Sequence, residues 1–160
     1  MRVELVTLAV TVLALAALGV AAGLVWSAVA PVSTFVLTDS GPHLADPESQ
    51  TLIAADGWFA VITGVLGLTS GAAAYFLTHR RAPVGAVLGV TGGGLLGAYI
   101  AFQVGSATAG TMIQAAPPGG LRTTESLGLT AHGVLLIWAL LAAAIFWVLE
   151  FVLSYREASD

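Results

Sequence analysis

The chain has 160 residues, 58% of them hydrophobic and 9% charged, with a formal net charge of −4. A mean hydropathy of +0.94 is more than a soluble core of this length requires, and with only five basic residues, all arginine, no basic surface exists for nucleic acid. The absence of cysteine excludes disulfides, thiolate metal centres, iron–sulfur clusters and thiol catalysis.

The first element in chain order is an apolar run over 5–30. A bilayer core takes about 20 residues of helix, and this run meets that length. Arg2 precedes it and Ala28-Val29-Ala30 offers a small-x-small cleavage pattern. The run exceeds the roughly 7 to 15 apolar residues of a secretory signal, however, so it reads as a retained helix. The loop at 31–46 opens with Ser33–Thr38, rich in β-branched and aromatic residues, followed by the turn Asp39-Ser40-Gly41-Pro42. That pattern predicts a short β-hairpin-like element. Asp46-Pro47-Glu48 then reads as a helix start, with Asp46 as N-cap and Pro47 at the first helical position. The second helix is expected over 47–79, with its first turns projecting beyond the bilayer before Trp58.

A tight turn at 78–83 leads into the third helix, 84–105, which carries Gly85, Gly89, Gly93 and Gly97 at four-residue spacing, extended by Ala101 and Gly105. This glycine zipper puts small residues along one face, where another backbone can approach closely in a solvent that offers no hydrophobic drive. Gly19 and Gly23 on the first helix and Gly64, Gly67 and Gly71 on the second are candidate counterparts. Three uses stay open: packing within the bundle, a homo-oligomeric seam, or a glycine-lined path. The loop at 106–124, with Ala115-Ala116-Pro117-Pro118-Gly119-Gly120, reads as a flexible connector, and Thr123 or Thr124 as the cap of a fourth helix over 125–154.

The expected fold is therefore an all-α membrane protein, one domain over 1–160 in which four transmembrane helices form an antiparallel bundle. Arg2, Arg80, Arg81 and Arg156 fall on the side of the termini and the 78–83 turn, against Arg122 alone on the other. Basic residues are retained in the cytoplasm, which puts both termini inside and both long loops outside. Trp26 and Trp58 are then expected together at the outer interface, and Phe151 and Tyr155 at the inner one.

Titratable residues are few. Asp56 and His132 stand at the outer rim, at matching places if Glu48-Ser49 to Trp58 and Glu125-Ser126 to Val134 are two copies of one plan. They form a candidate polar pair, able to act as a proton-sensitive contact, a transition-metal half-site or a polar latch that orders the helix entrances. Glu150 is the deepest charge, near the inner boundary, where Arg80 or Arg81 could pair with it, and Glu4 has Arg2 or Arg156 as candidate partners. Phe35, Asp39, His43, Asp46 and Glu48 form the first loop's candidate partner surface. Their spacing matches no established metal site, and no cofactor is expected. No phosphate loop, nucleophile elbow or His-Glu-x-x-His motif occurs, so no enzymatic activity is expected.

The Ala54-Ala55-Asp56-Gly57-Trp58-Phe59 entrance after Pro47-Glu48-Ser49, with the Ala-, Gly- and Val-rich lysine-free composition, resembles a family of small four-helix actinobacterial membrane proteins of unknown function. The resemblance implies topology and a plasma-membrane location, and no functional residues. Two roles follow as expectations: an accessory or scaffold subunit of a larger membrane complex, or a small oligomeric transporter or channel with the glycine-rich helix lining its path. The expected partners are the lipid bilayer and other membrane subunits or further copies of the chain.

Overall fold

Four helices of this chain are long and apolar enough to cross a membrane: α1 (Arg2–Val29), α2 (Thr51–Thr78), α3 (Pro83–Ala109) and a final one that starts as a 3-10 turn (His132–Leu136) and continues as α4 (Ile137–Glu157). The computed structural model describes residues 1–38, 41–44, 46, 50–78, 82–109, 112–114 and 122–157. At 1.5 Å per residue, 28 residues make about 42 Å, more than the hydrocarbon core spans. Large apolar side chains face outward along the helices, among them Leu13, Val65, Leu77, Leu88 and Leu140. Such a surface is stable against lipid tails and costly in water.

The helices pair across the halves of the chain. α1 packs most closely on α3, and α2 on α4, while α1 and α2 touch sparingly. Both close pairs run parallel: Glu4 lies against Gly85, Thr11 against Gly89, Leu15 against Gly93, Gly19 against Gly97 and Trp26 against Gly105. On the other side, Gly67 lies against Trp138 and Gly71 against Ala142. Backbone meets backbone at these levels. A Cβ on Gly97 would stand 2.7 Å from the Leu15 carbonyl oxygen, one on Gly23 2.5 Å from that of Ala101, and one on Gly67 2.7 Å from that of Trp138. Close approach of this kind gains dispersion and weak Cα–H···O contacts, which hold helices together where lipid removes the hydrophobic drive.

Aromatic residues fill the core in levels. Trp26 is fully buried, edge-on to Phe59 at 5.1 Å between centroids, and its indole N–H donates to the Ala55 carbonyl at 2.9 Å. Trp26 is thus enclosed by the bundle near the end of α1, while Trp58, expected beside it, is exposed. The glycine at 105 creates the space for its ring. Trp138, also fully buried, sits against Gly94 and Gly97 and donates its N–H to the Ser70 hydroxyl at 3.2 Å. Tyr75 and Phe146 pack edge to face at 5.3 Å nearer the other end.

Both long loops form strands. The first contains β1 (Ser33–Thr38) and β2 (Gly41–Leu44), in line with the expected hairpin, and the second contains β3 (Met112–Gln114) and β4 (Arg122–Ser126). They join as one antiparallel sheet in the order β2-β1-β4-β3, with Phe35 opposite Leu44 on one side and Thr124 on the other. The reading of 106–124 as a connector and of Thr123 or Thr124 as a helix cap is thus corrected: both threonines lie on β4, and helical structure resumes at His132. The physical reason is tertiary. The free side of β1 needs hydrogen-bond partners, and a β-branched pair of threonines supplies them. α3 also runs on to Ala109, and α2 begins at Thr51, with the Ala54 N–H donating to the Gln50 carbonyl at 2.9 Å. The helix start expected at Pro47 and Glu48 lies outside the described residues, as do 79–81 of the short turn.

Close backbone contact makes a direct prediction. Gly97→Ala should separate α1 from α3 and cost about 1–3 kcal/mol, the usual range for overpacking, in denaturant unfolding of the purified protein. A Cβ at Gly92 meets nothing within 4 Å, so Gly92→Ala should leave the unfolding midpoint unchanged or slightly raised. Equal behaviour of the two variants would refute the seam.

Candidate functional site

The most connected polar group among the described residues is Asp56, in the second turn of α2. Ala55, Asp56, Phe59 and Thr63 are buried on one face of that helix, which turns the Asp56 carboxylate inward, 8% exposed. There it meets the chain entering α4. Its Oδ1 accepts the Thr130 N–H at 3.0 Å, and its Oδ2 accepts the Ala131 N–H at 2.9 Å and the Thr130 hydroxyl. Ala131 is the residue at the N-cap of the 3-10 turn and has no capping side chain. Asp56 holds the two amides that lead into the turn from another helix, and its negative charge suits the positive end of the helix that follows.

His132 follows directly and is exposed. Asp56 and His132 thus share one corner of the molecule, and the bonds of Asp56 recorded there go to Thr130 and Ala131. The corner is pinned further by Leu127 and Leu129, both buried, and by a 2.9 Å hydrogen bond between the Ser33 and Thr51 hydroxyls. These links tie β1, the entrance of α2 and the entrance of α4 into one unit directly beneath the sheet.

The opposite end repeats the device. α3 begins at Pro83, preceded by Ala82, which offers no side-chain cap. The Gly85 N–H instead donates to Glu4 Oε2 of α1 at 2.5 Å. Glu4 therefore caps α3, where arginine partners had been expected. Glu150 lies close by, half-buried in a groove of about 250 Å³ with Pro83, Val84, Val87, Leu88, Phe146 and Trp147. No hydrogen bond or ion pair holds its carboxylate among the described residues. Arg80 and Arg81 lie outside them.

Of the first-loop residues, Phe35 is half-buried on β1, while His43 on β2 and Asp46 after it are exposed; Asp39 and Glu48 lie outside the described residues. Among the described residues no three His, Asp or Glu side chains gather to hold a metal ion. Gly85, Gly89, Gly93 and Gly97 are buried on α3, and Gly19 and Gly23 on α1. Sequence reasoning missed the partners of Asp56 and Glu4. The available signal was the absence of Ser, Thr, Asp or Asn immediately before Pro83 and His132, which leaves two helix starts in search of an acceptor.

Comparison of the chain with protein-family models, with characterised proteins and with solved structures gives no match.

Asp56→Ala should leave two part-buried backbone N–H groups at the entrance of α4 without their acceptor and cost at most about 6 kcal/mol at about 1–3 kcal/mol for each buried unsatisfied group, less as far as water reaches them. Asp56→Asn keeps one acceptor oxygen and should cost less. Hydrogen exchange over 130–136 is the check: amides that exchange no faster in Asp56→Ala than in the parent would show that the carboxylate does not hold this corner.

Proposed function

We propose that this protein is a non-enzymatic accessory or scaffold subunit of a membrane complex, seated in the plasma membrane with both termini in the cytoplasm and the sheet outside. The single observation that carries the reading is the sheet. Both loops contribute to one platform in the order β2-β1-β4-β3, fastened to two helix entrances through Asp56 and the Ser33–Thr51 bond. A fastened platform with exposed His43 and Asp46 suits a permanent partner better than a gate. The arginine distribution supports the orientation, with four of five on the side of the termini.

Two further observations count against the transporter reading. The glycine face of α3 is taken up by the backbones of α1 and α4, which leaves it unavailable to line a path. The hydroxyls of Thr63, Thr69 and Thr91 donate to carbonyls four residues earlier in their own helices, at 2.7 to 2.8 Å, so they are internally satisfied and do not present a chain of free polar groups.

The test is purification from the source membrane in native nanodiscs, followed by mass determination of the intact particle. A stoichiometric second protein is expected, and its recovery should fall several-fold in His43→Glu/Asp46→Arg while this chain still folds. A homo-oligomer or monomer alone would overturn the accessory reading.

A further inference from the structure

The groove between the start of α3 and the last turns of α4 holds a carboxylate, that of Glu150, without a partner among the described residues. Phe146, Trp147 and Glu150 lie at i, i+1 and i+4 on α4 and form one wall; Val84, Val87 and Leu88 of α3 form the other, with Pro83 at the end. A carboxylate among apolar walls needs a countercharge or donors. The start of α3 would ordinarily supply donors, but here they are largely spent. Pro83 has no N–H, the Gly85 N–H is bound to Glu4, and the Ala86 N–H donates to the Ala82 carbonyl, so that of the first turn only the Val84 N–H remains. Among the described residues Glu150 is left with apolar walls and a tryptophan ring that is 61% exposed.

We propose that this groove binds a small amphiphilic cation, an alkyl chain bearing an ammonium-type head, entering sideways from the adjoining leaflet. The carboxylate supplies the countercharge, and Trp147 is the aromatic ring best suited to a cation over its face. The apolar walls receive the first carbons of the chain. A volume of about 250 Å³ is smaller than pockets for drug-sized ligands and fits a compact head with a short length of chain. Among the described residues both charges at this helix start, Glu4 and Glu150, are acidic, which disfavours an anion. The same pair disfavours a phospholipid, whose phosphate would travel with its ammonium group, so the occupant is a free amphiphile. The inference stands apart from the accessory role: either can fail without the other.

The test uses hexylpyridinium, an amphiphilic cation that quenches indole fluorescence on contact, with the full chain in phosphatidylglycerol nanodiscs and Trp58→Phe to remove the exposed indole at the other end. Saturable quenching is expected, at least tenfold weaker in Glu150→Gln, restored in Glu150→Asp and abolished in Trp147→Phe. Quenching that rises linearly and equally in the parent and Glu150→Gln would be simple partitioning, and would overturn the proposal. So would saturable quenching seen only in Arg80→Gln/Arg81→Gln, which would mean that the arginines already neutralise Glu150. Quenching that disappears in phosphatidylethanolamine nanodiscs would assign the groove to a lipid headgroup instead. Unchanged unfolding midpoints across the variants establish that each reading comes from a folded protein.

Discussion

A helix begins with N–H groups that its own backbone cannot satisfy. After α1, two helices begin without a capping side chain of their own, after Ala82 and at Ala131. Each borrows an acid from the helix it runs beside: α3 from Glu4 of α1, and α4 from Asp56 of α2. The glycine contacts run along these same two pairs. Borrowing works only if the donor helix lies close and in a fixed register, so caps and close-packed glycines depend on one another. The sheet then closes over the end where Asp56 sits, and the groove of Glu150 opens at the end where Glu4 caps α3.

The four spans were legible because each is a long apolar run, and the face of α3 because glycine at every fourth position lies along one side of a helix. The hairpin of the first loop was legible for the same local reason, β-branched residues followed by a turn. What escaped was non-local. Arg122-Thr123-Thr124-Glu125-Ser126 contains both strand-forming and helix-capping residues, and only the presence of β1 alongside decides between them. Trp26 looked interfacial from its position at a helix end, and became core because Gly105 of α3 leaves room for its ring. Asp56 was recognisable as a singular charge at a helix entrance, but its backbone partners carry no side-chain signal at all.

The suggestion of two similar halves receives a mixed answer. In the helical layer, first pairs with third and second with fourth, both parallel, and each pair has one acid capping its later member. In the sheet, the central pair joins β1 to β4, which are not equivalent strands, where a two-fold arrangement would join β1 to β3 or β2 to β4. The likeness of the halves therefore extends through the membrane-length helices and stops at the loops.

Pairing across the halves also sets an order of events during synthesis. Gly19 finds its counterpart only when Gly97 has been made, 97 − 19 = 78 residues later in the chain. At about 5–20 residues per second, the small-residue face of the first helix waits roughly 4–16 s with only lipid or the insertion machinery against it. The first two helices touch each other sparingly, so during that interval they constitute an open hairpin rather than a folding unit. Completion of the chain is what brings the small-residue face of the first helix against its counterpart on the third and turns separate helices into a packed bundle.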